Sequence, residues 1–289
     1  MSRRLRLDAD MVRRGLVPSR TEAVRAIDDH RVLVNGAVAD KPARLVGVGD
    51  AVRVTGARPR FVSRGGEKLS QALDAFDIDV HDLDALDVGA STGGFTDCLL
   101  QHGARHVVAL DVGHGQLHPK IRDDSRVRVI ERFNVRQLVA GHLDVVPRIV
   151  VADLSFISLT KVIPVLASVV APGGSLVLLV KPQFEAGKQE VGRGHGVITD
   201  PTIHERVRGE IEVCLGQAQC EVRGWCDSPI TGADGNREFL VHAVLAGGVV
   251  AGAVVAGGVV AGAVPGSAAH DRVRTEAGRT GETATMVDP

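Results

Sequence analysis

Apolar and polar positions divide the chain into a short front segment of mixed character and a longer region in which apolar runs alternate with amphipathic stretches. Leu7 to Leu16 has helical periodicity, and Ser19-Arg20-Thr21-Glu22 has the form of a capping box that starts a second helix through Ala23, Val24, Ala26 and Ile27. Val32-Leu33-Val34-Asn35-Gly36-Ala37-Val38 then sets Asn-Gly between two apolar runs. That spacing predicts a tight hairpin, because Asn and Gly both tolerate positive φ. A third strand, Ala51 to Val54, follows the turn Gly47-Val48-Gly49-Asp50. Residues 1–57 thus read as a small α+β domain, and 58–66, with Arg58-Pro59-Arg60, as a linker.

From there the pattern changes. Strands are expected near 85–89, 106–111, 127–131, 149–153, 175–181, 220–225 and 238–245, with helices between most of them. The first helix runs from about Glu67 to Phe76. The clearest runs from Asp200 to Gln217, where Ile203, Val207, Ile211 and Val213 to Leu215 form the apolar side. Strand 149–153 is apolar without a break, as expected for a strand covered on both faces. Strands and helices in alternation predict an α/β domain over 67–246, built on a doubly wound, mostly parallel sheet of seven strands.

Ala243 to Val264 departs from this pattern, with 22 uncharged residues built from Ala, Gly and Val and a single Leu. Its length satisfies a membrane span and its Gly-x-x-x-Gly spacings resemble a helix-pairing face. It lacks an aromatic belt and basic anchors, so 247–289 is expected to be a low-complexity, disordered tail. No stable membrane insertion is expected.

Charge adds one asymmetry. The 289 residues carry a formal net charge of −1, yet residues 1–68 hold fifteen Lys and Arg against eight Asp and Glu. A cationic front suits a polyanion such as RNA. Cys98, Cys214, Cys220 and Cys226 form no Cys-x-x-Cys pair and match no His spacing, so no metal is expected. Met1-Ser2-Arg3-Arg4 leads to Asp8 and Asp10 rather than to an apolar run, which points to a cytoplasmic protein.

Candidate chemistry centres on Leu86-Asp87-Val88-Gly89-Ala90-Ser91-Thr92-Gly93-Gly94-Phe95-Thr96-Asp97, a strand running into a glycine turn and a helix. Its Gly-x-Ser-x-Gly-Gly spacing is not the Gly-x-Gly-x-x-Gly of dinucleotide sites, which argues against a dehydrogenase. A nucleoside with a short amino-acid tail fits better, its carboxylate on the helix N-terminus. Asp87, Gly89, Ala90, Ser91, Thr92, Gly93 and Gly94 are the cofactor candidates, with Asp111 for a ribose diol, Asn134 beside an adenine, and Asp153. In an open sheet, ligands bind at the carboxyl edge of the parallel strands. Asp153 and Lys181 end predicted strands there, Glu238 begins a strand expected to run antiparallel, and Lys68 opens a helix. All four converge on one rim.

The front segment, with Arg20 on the capped helix and Val-Leu-Val-Asn-Gly in the hairpin, resembles the S4 RNA-binding domain over about residues 5–55. Arg4, Arg6, Arg20 and Lys41 are the RNA-binding candidates there, with Arg64 beyond them. Ser63-Arg64-Gly65-Gly66-Glu67-Lys68-Leu69, the Asp87 to Asp97 run, Asp153-Leu154-Ser155-Phe156-Ile157-Ser158-Leu159, Lys181-Pro182-Gln183-Phe184-Glu185 and Gly235-Asn236-Arg237-Glu238-Phe239 resemble the TlyA family over about residues 3–245. That resemblance implies a Rossmann-like, S-adenosylmethionine-dependent methyltransferase domain acting on ribosomal RNA or ribosomal subunits. It implies transfer to the 2′-OH of a cytidine in 16S or 23S RNA or both, with Lys68, Asp153, Lys181 and Glu238 as a catalytic tetrad. Two other readings stand beside it: a membrane-active, hemolysin-like protein, suggested by the family's hemolysin label and by residues 243–264, and a non-catalytic RNA-binding ribosome-assembly factor. Two segments depart from the family pattern, namely the glycine loop 191–197 and the chain beyond Leu245.

Overall fold

The computed structural model describes residues 4–56, 59–187, 190, 196–232 and 235–247. The front segment holds β1 (Leu5–Arg6), α1 (Leu7–Arg13), α2 (Arg20–Asp28), β2 (Val32–Val34), β3 (Ala37–Val38), β4 (Leu45–Val46) and β5 (Val52–Val54). Ser19 Oγ accepts the Glu22 backbone N–H at 3.2 Å and starts α2 as expected. Asn35 and Gly36, at φ 54° and 84°, turn the hairpin. Helix α1 ends earlier than its periodicity predicts, because the chain reverses at Gly15, φ 70°. β2 lies between β3 and β5, all antiparallel. The pairing of β1 with β4 was not expected, since two-residue strands are too short to show a period. Leu7, Met11, Ile27, Val32 and Val34 form a closed apolar core beneath the two helices.

Next come α3 (Gly65–Ala75), β6 (Asp84–Val88), α4 (Gly94–Gln101), β7 (His106–Leu110), α5 (Pro119–Arg122), β8 (Val127–Ile130) and β9 (Ile149–Ala152). They are followed by α6 (Ile163–Val169), β10 (Ser175–Val180), α7 (Pro182–Glu185), α8 (Pro201–Gln217), β11 (Cys220–Asp227) and β12 (Phe239–Leu245). The seven strands expected from the apolar runs form one sheet in the order β11-β12-β10-β9-β6-β7-β8. β12 alone runs opposite to the other six strands of this sheet. Apolar side chains on both faces build two cores, one around Val88, Leu110, Val150, Leu178 and Ile211, the other around Leu69, Leu99, Val107, Val151 and Leu240. Each such burial contributes about 1.5–3 kcal/mol, which is why β9 and β10 carry no polar side chain at their centres.

Helix α8 corrects one detail. Its core-facing stripe is Val207, Ile211 and Leu215, four residues apart, whereas Val213 is 61% exposed. Ala243 to Leu245 belong to β12. Most of the Ala/Gly/Val repeat, the tail 248–289 and residues 191–195 of the glycine loop lie outside the described residues. Among the described residues no helix is long and apolar enough to cross a membrane.

Candidate active site

The strand order reverses between β6 and β9, whose carboxyl ends both open on one crevice. This is the position where open α/β sheets bind ligands. A cavity of about 400 Å³ lies there, bounded by Ser63 to Gly65 on one side and by Gly89 to Thr92 with Gly94 and Phe95 on another. Lys68, Asp153, Ser155, Lys181, Thr231, Gly232 and Glu238 complete its wall. All four residues expected to converge are therefore present.

Register explains the convergence. Val180 pairs with Phe239 across β10 and β12, so Lys181 and Glu238, one step beyond each, share an edge. Asp153 follows Ala152, which pairs with Leu178 and Val88. Lys68 stands in the first turn of α3. These side chains form two ion pairs: Lys181 Nζ lies 2.5 Å from Asp153 Oδ1, and Lys68 Nζ contacts Glu238 Oε2. Lys181 Nζ also donates to Ser155 Oγ at 3.1 Å. Lys68, Lys181 and Glu238 are buried while Asp153 is partly exposed. Two cations and two anions sealed this closely balance each other, which is the condition for burying any of them.

The glycine turn is shaped by the protein itself. Gly89 has φ 83°, and a Cβ there would collide with the Asp153 carbonyl oxygen. A Cβ on Gly94 would collide with Ser63 Oγ. Glycine here lets the turn pack against the loop after β9 and against the segment before α3, and that packing leaves the cavity open beside it. The sequence pattern attributes these glycines to ligand approach alone, whereas internal packing requires them.

Four cofactor candidates, Asp87, Gly93, Asp111 and Asn134, are not among the residues that line the cavity; Gly93, at φ 96°, caps α4. Asp87 is fully buried, its Oδ2 accepting Thr96 Oγ1–H at 2.6 Å while Oδ1 has no partner. Burial pushes its carboxyl up to about 7, against the Thr96 hydrogen bond and helped by the charge of Asp153. Asp111 accepts the backbone N–H of Ser91 at 2.8 Å and of Gly113 at 2.6 Å, so it braces the glycine turn. Asn134 is exposed and caps a short 3₁₀ turn through the Arg136 N–H at 3.0 Å.

Of the RNA candidates, Arg6 and Arg20 meet at one carboxylate. Asp8, almost wholly buried, accepts from Arg6 at 3.0 Å and Arg20 at 2.8 Å, and these partners hold its carboxyl far below the usual range. Both arginine side chains keep about half of their surface in solvent, and each guanidinium has more N–H donors than this carboxylate takes. Arg4, Lys41 and Arg64 are exposed, with Arg64 at the cavity wall.

Phe156 was not among the expected site residues. It sits in the loop after β9 at φ 64°, is 91% exposed, and its ring centroid lies 5.1 Å from that of Phe184. In sequence it stands only as part of the Asp153 to Leu159 run, and its exposure beside Ser155 marks it out.

Known proteins match this arrangement. The S4 domain model matches residues 5–52 and the FtsJ-like methyltransferase model residues 61–245. The protein named 16S/23S rRNA (cytidine-2′-O)-methyltransferase TlyA of Mycobacterium tuberculosis (strain ATCC 25618 / H37Rv) is 45% identical over 251 residues, covering 83% of this chain and 90% of that one. Hemolysin A of Brachyspira hyodysenteriae is 41% identical, covering 83% of this chain and 100% of that one. A solved structure from Streptococcus thermophilus, described under the hemolysin label, is 39% identical with a TM-score of 0.68, covering 85% of this chain and 90% of that one. With an S4 domain ahead of an FtsJ-like catalytic domain and this level of identity along most of its length, the chain belongs to the TlyA family of methyltransferases.

Proposed function

We propose that this protein transfers a methyl group from S-adenosylmethionine to the ribose 2′-OH of a cytidine in ribosomal RNA, within one or both ribosomal subunits. The observation that carries the reading is the pair of ion pairs on one cavity wall, Lys181 with Asp153 and Lys68 with Glu238. The activity for which the Mycobacterium tuberculosis relative is named supports the substrate. Such a substrate implies action in the cytoplasm.

The residues present fit the cofactor. A volume of about 400 Å³ lies within the usual range for small-molecule sites. The first turn of α4, represented in the wall by Gly94 and Phe95, offers N–H groups that the helix cannot satisfy itself, as a carboxylate requires. Ser91 and Thr92 add hydroxyls, and Asp153 and Glu238 offset the lysines near a cationic ligand. When bound, S-adenosylmethionine supplies a methyl on a sulfonium, which is already a good leaving group.

What remains for the protein is to orient the sugar and to ease loss of its proton. An ammonium has three N–H donors. Ser155 takes one on Lys181 and Asp153 pairs with its charge, so an N–H remains for the 2′ oxygen and steadies the charge that builds there. Meanwhile the O–C bond forms, the C–S bond breaks to leave a neutral thioether, and the 2′ proton passes to water in the open cavity. Glu238 holds Lys68, which grips the ribose or a neighbouring phosphate. Phe156 presents an open ring face to the target base, and base–aromatic stacking contributes about 1–3 kcal/mol. Residues 1–57, through Arg4, Arg6, Arg20 and Lys41, supply affinity for structured RNA, the catalytic domain takes over by Phe61, whose side chain already packs into its core, and Arg64 guides the strand at the cavity wall.

Purified protein incubated with labelled S-adenosylmethionine and ribosomal subunits tests this reading. Lys181→Ala is expected to abolish transfer and to leave cofactor binding, read by calorimetry, within about two-fold. Retained turnover removes Lys181 from the mechanism. The similarity to Hemolysin A favours a second reading, membrane activity. A truncation that tests it must start after Gly247, because Ala243 to Leu245 are part of the sheet. Loss of membrane activity with methylation intact would support that reading for the tail.

A further inference from the structure

Glu185 ends α7, four residues after Lys181, and is not among the residues lining the cavity. Its half-buried carboxylate accepts two hydrogen bonds from the loop that leaves β9. Ser158 Oγ–H donates to Oε2 at 2.6 Å and the Leu159 backbone N–H donates to Oε1 at 2.9 Å. That loop begins at Asp153 and carries Ser155 and Phe156. Its other end is fixed where the Asp153 N–H donates to the Val88 carbonyl at 3.0 Å. Between the two anchors Phe156 occupies left-handed backbone at φ 64°, a conformation that a bulky residue keeps only where its surroundings over-determine it.

Three contacts toward the β10 side depend on how this loop is held: Asp153 with Lys181, Ser155 with Lys181, and the Phe156 ring with Phe184. Helix α7 spans four residues, too few to be stable by its own hydrogen bonds. Something must lock it against the loop, and the Glu185 carboxylate is the side chain that spans them with two bonds. Burial and Glu210 of α8 raise the Glu185 carboxyl above its usual range, while the Leu159 and Ser158 bonds and Lys161 oppose them.

We propose that Glu185 is a positioning residue whose carboxylate clamps the β9 loop to the turn after β10, and so sets where Asp153 and Ser155 hold Lys181 Nζ. The proposal rests on the methyl-transfer reading above for its kinetic part and on geometry alone for the clamp.

The test compares Glu185→Ala, Glu185→Gln and Ser158→Ala in the full chain. Small displacements of a reacting group cost up to about 100-fold in rate. Glu185→Ala is expected to lower the single-turnover rate about 10- to 100-fold while the Kd for S-adenosylmethionine stays within about two-fold. Glu185→Gln, whose Oε1 can still accept the Leu159 N–H and whose Nε2 can donate to Ser158 Oγ, is expected to recover the rate to within about five-fold. The Phe156–Phe184 ring-to-ring NOE should vanish in Glu185→Ala and persist in Glu185→Gln. Ser158→Ala removes one bond of the two and should lose about three- to ten-fold, which carries the test if Glu185→Ala does not fold. Wild-type rates in Glu185→Ala, or in Ser158→Ala where that variant stands in, overturn the proposal, as does an intact NOE in a slowed Glu185→Ala. A wild-type protein that methylates no RNA overturns the functional reading instead, and the NOE then decides the clamp alone.

Discussion

Breaking the Lys68–Glu238 pair separates what the site costs the fold from what it does. The side chains are 10% and 3% exposed, so removing one partner strands a charge that water reaches only from the cavity side. Stranding a buried charge typically costs about 3–5 kcal/mol. Water in the cavity places this case near about 3 kcal/mol, which for a domain of this size lowers Tm by about 6–12 °C. Lys68→Met keeps the aliphatic stem and Glu238→Gln keeps the shape of the acid, so each single change should show that drop. The double variant leaves no orphaned charge and should recover most of it, giving a coupling of about 2 kcal/mol or more. Methyl transfer should be lost in all three. Urea and thermal unfolding measure the stability side, and transfer of labelled methyl to ribosomal subunits the other. Additive penalties in the double variant would refute the buried-pair reasoning, and a double variant that regained activity would refute the role assigned to the pair.

Three further outcomes follow from single residues. Because Asp87 titrates near 7 when folded and near 3.8 when unfolded, the native state binds the extra proton between those values, so stability falls as pH rises from about 4 to about 7. The full swing is at most about 4 kcal/mol, and Asp87→Asn should flatten it; an unchanged slope in denaturation against pH would contradict the burial argument. Phe156→Ala should weaken RNA binding or kcat/KM about 5- to 100-fold with Tm unchanged, since the ring is 91% exposed, and a fall in Tm without a kinetic effect would make it structural. Arg20→Ala should flatten the slope of log K against log salt for RNA by about one unit, and an unchanged slope would remove its phosphate contact.

The strands of the large sheet were legible because burial on both faces demands unbroken apolar runs, and Ile149 to Ala152 is wholly buried. The tetrad was legible through the rule that parallel strands present their carboxyl ends to one crevice, together with the antiparallel β12. Elements too short for a period, such as the β1–β4 pair, were not. Val213 looked like part of the α8 stripe because one turn can be apolar on two sides, and packing then buries only one. Asp111 and Asn134 also accept neighbouring backbone N–H groups, contacts that local geometry makes and spacing does not encode. Ser155, Phe156 and Glu185 stand in the motif runs, yet their contacts, each to a residue distant along the chain, could not be read from spacing.

The most direct measurement is mass spectrometry of rRNA fragments after ribosomal subunits are treated with wild-type protein or Lys181→Ala in the presence of S-adenosylmethionine. One cytidine that gains a methyl on its ribose, and whose 3′ linkage then resists alkali, with wild type and not with Lys181→Ala is the predicted result. A methyl found on a base, or an equal yield from Lys181→Ala, would contradict the account.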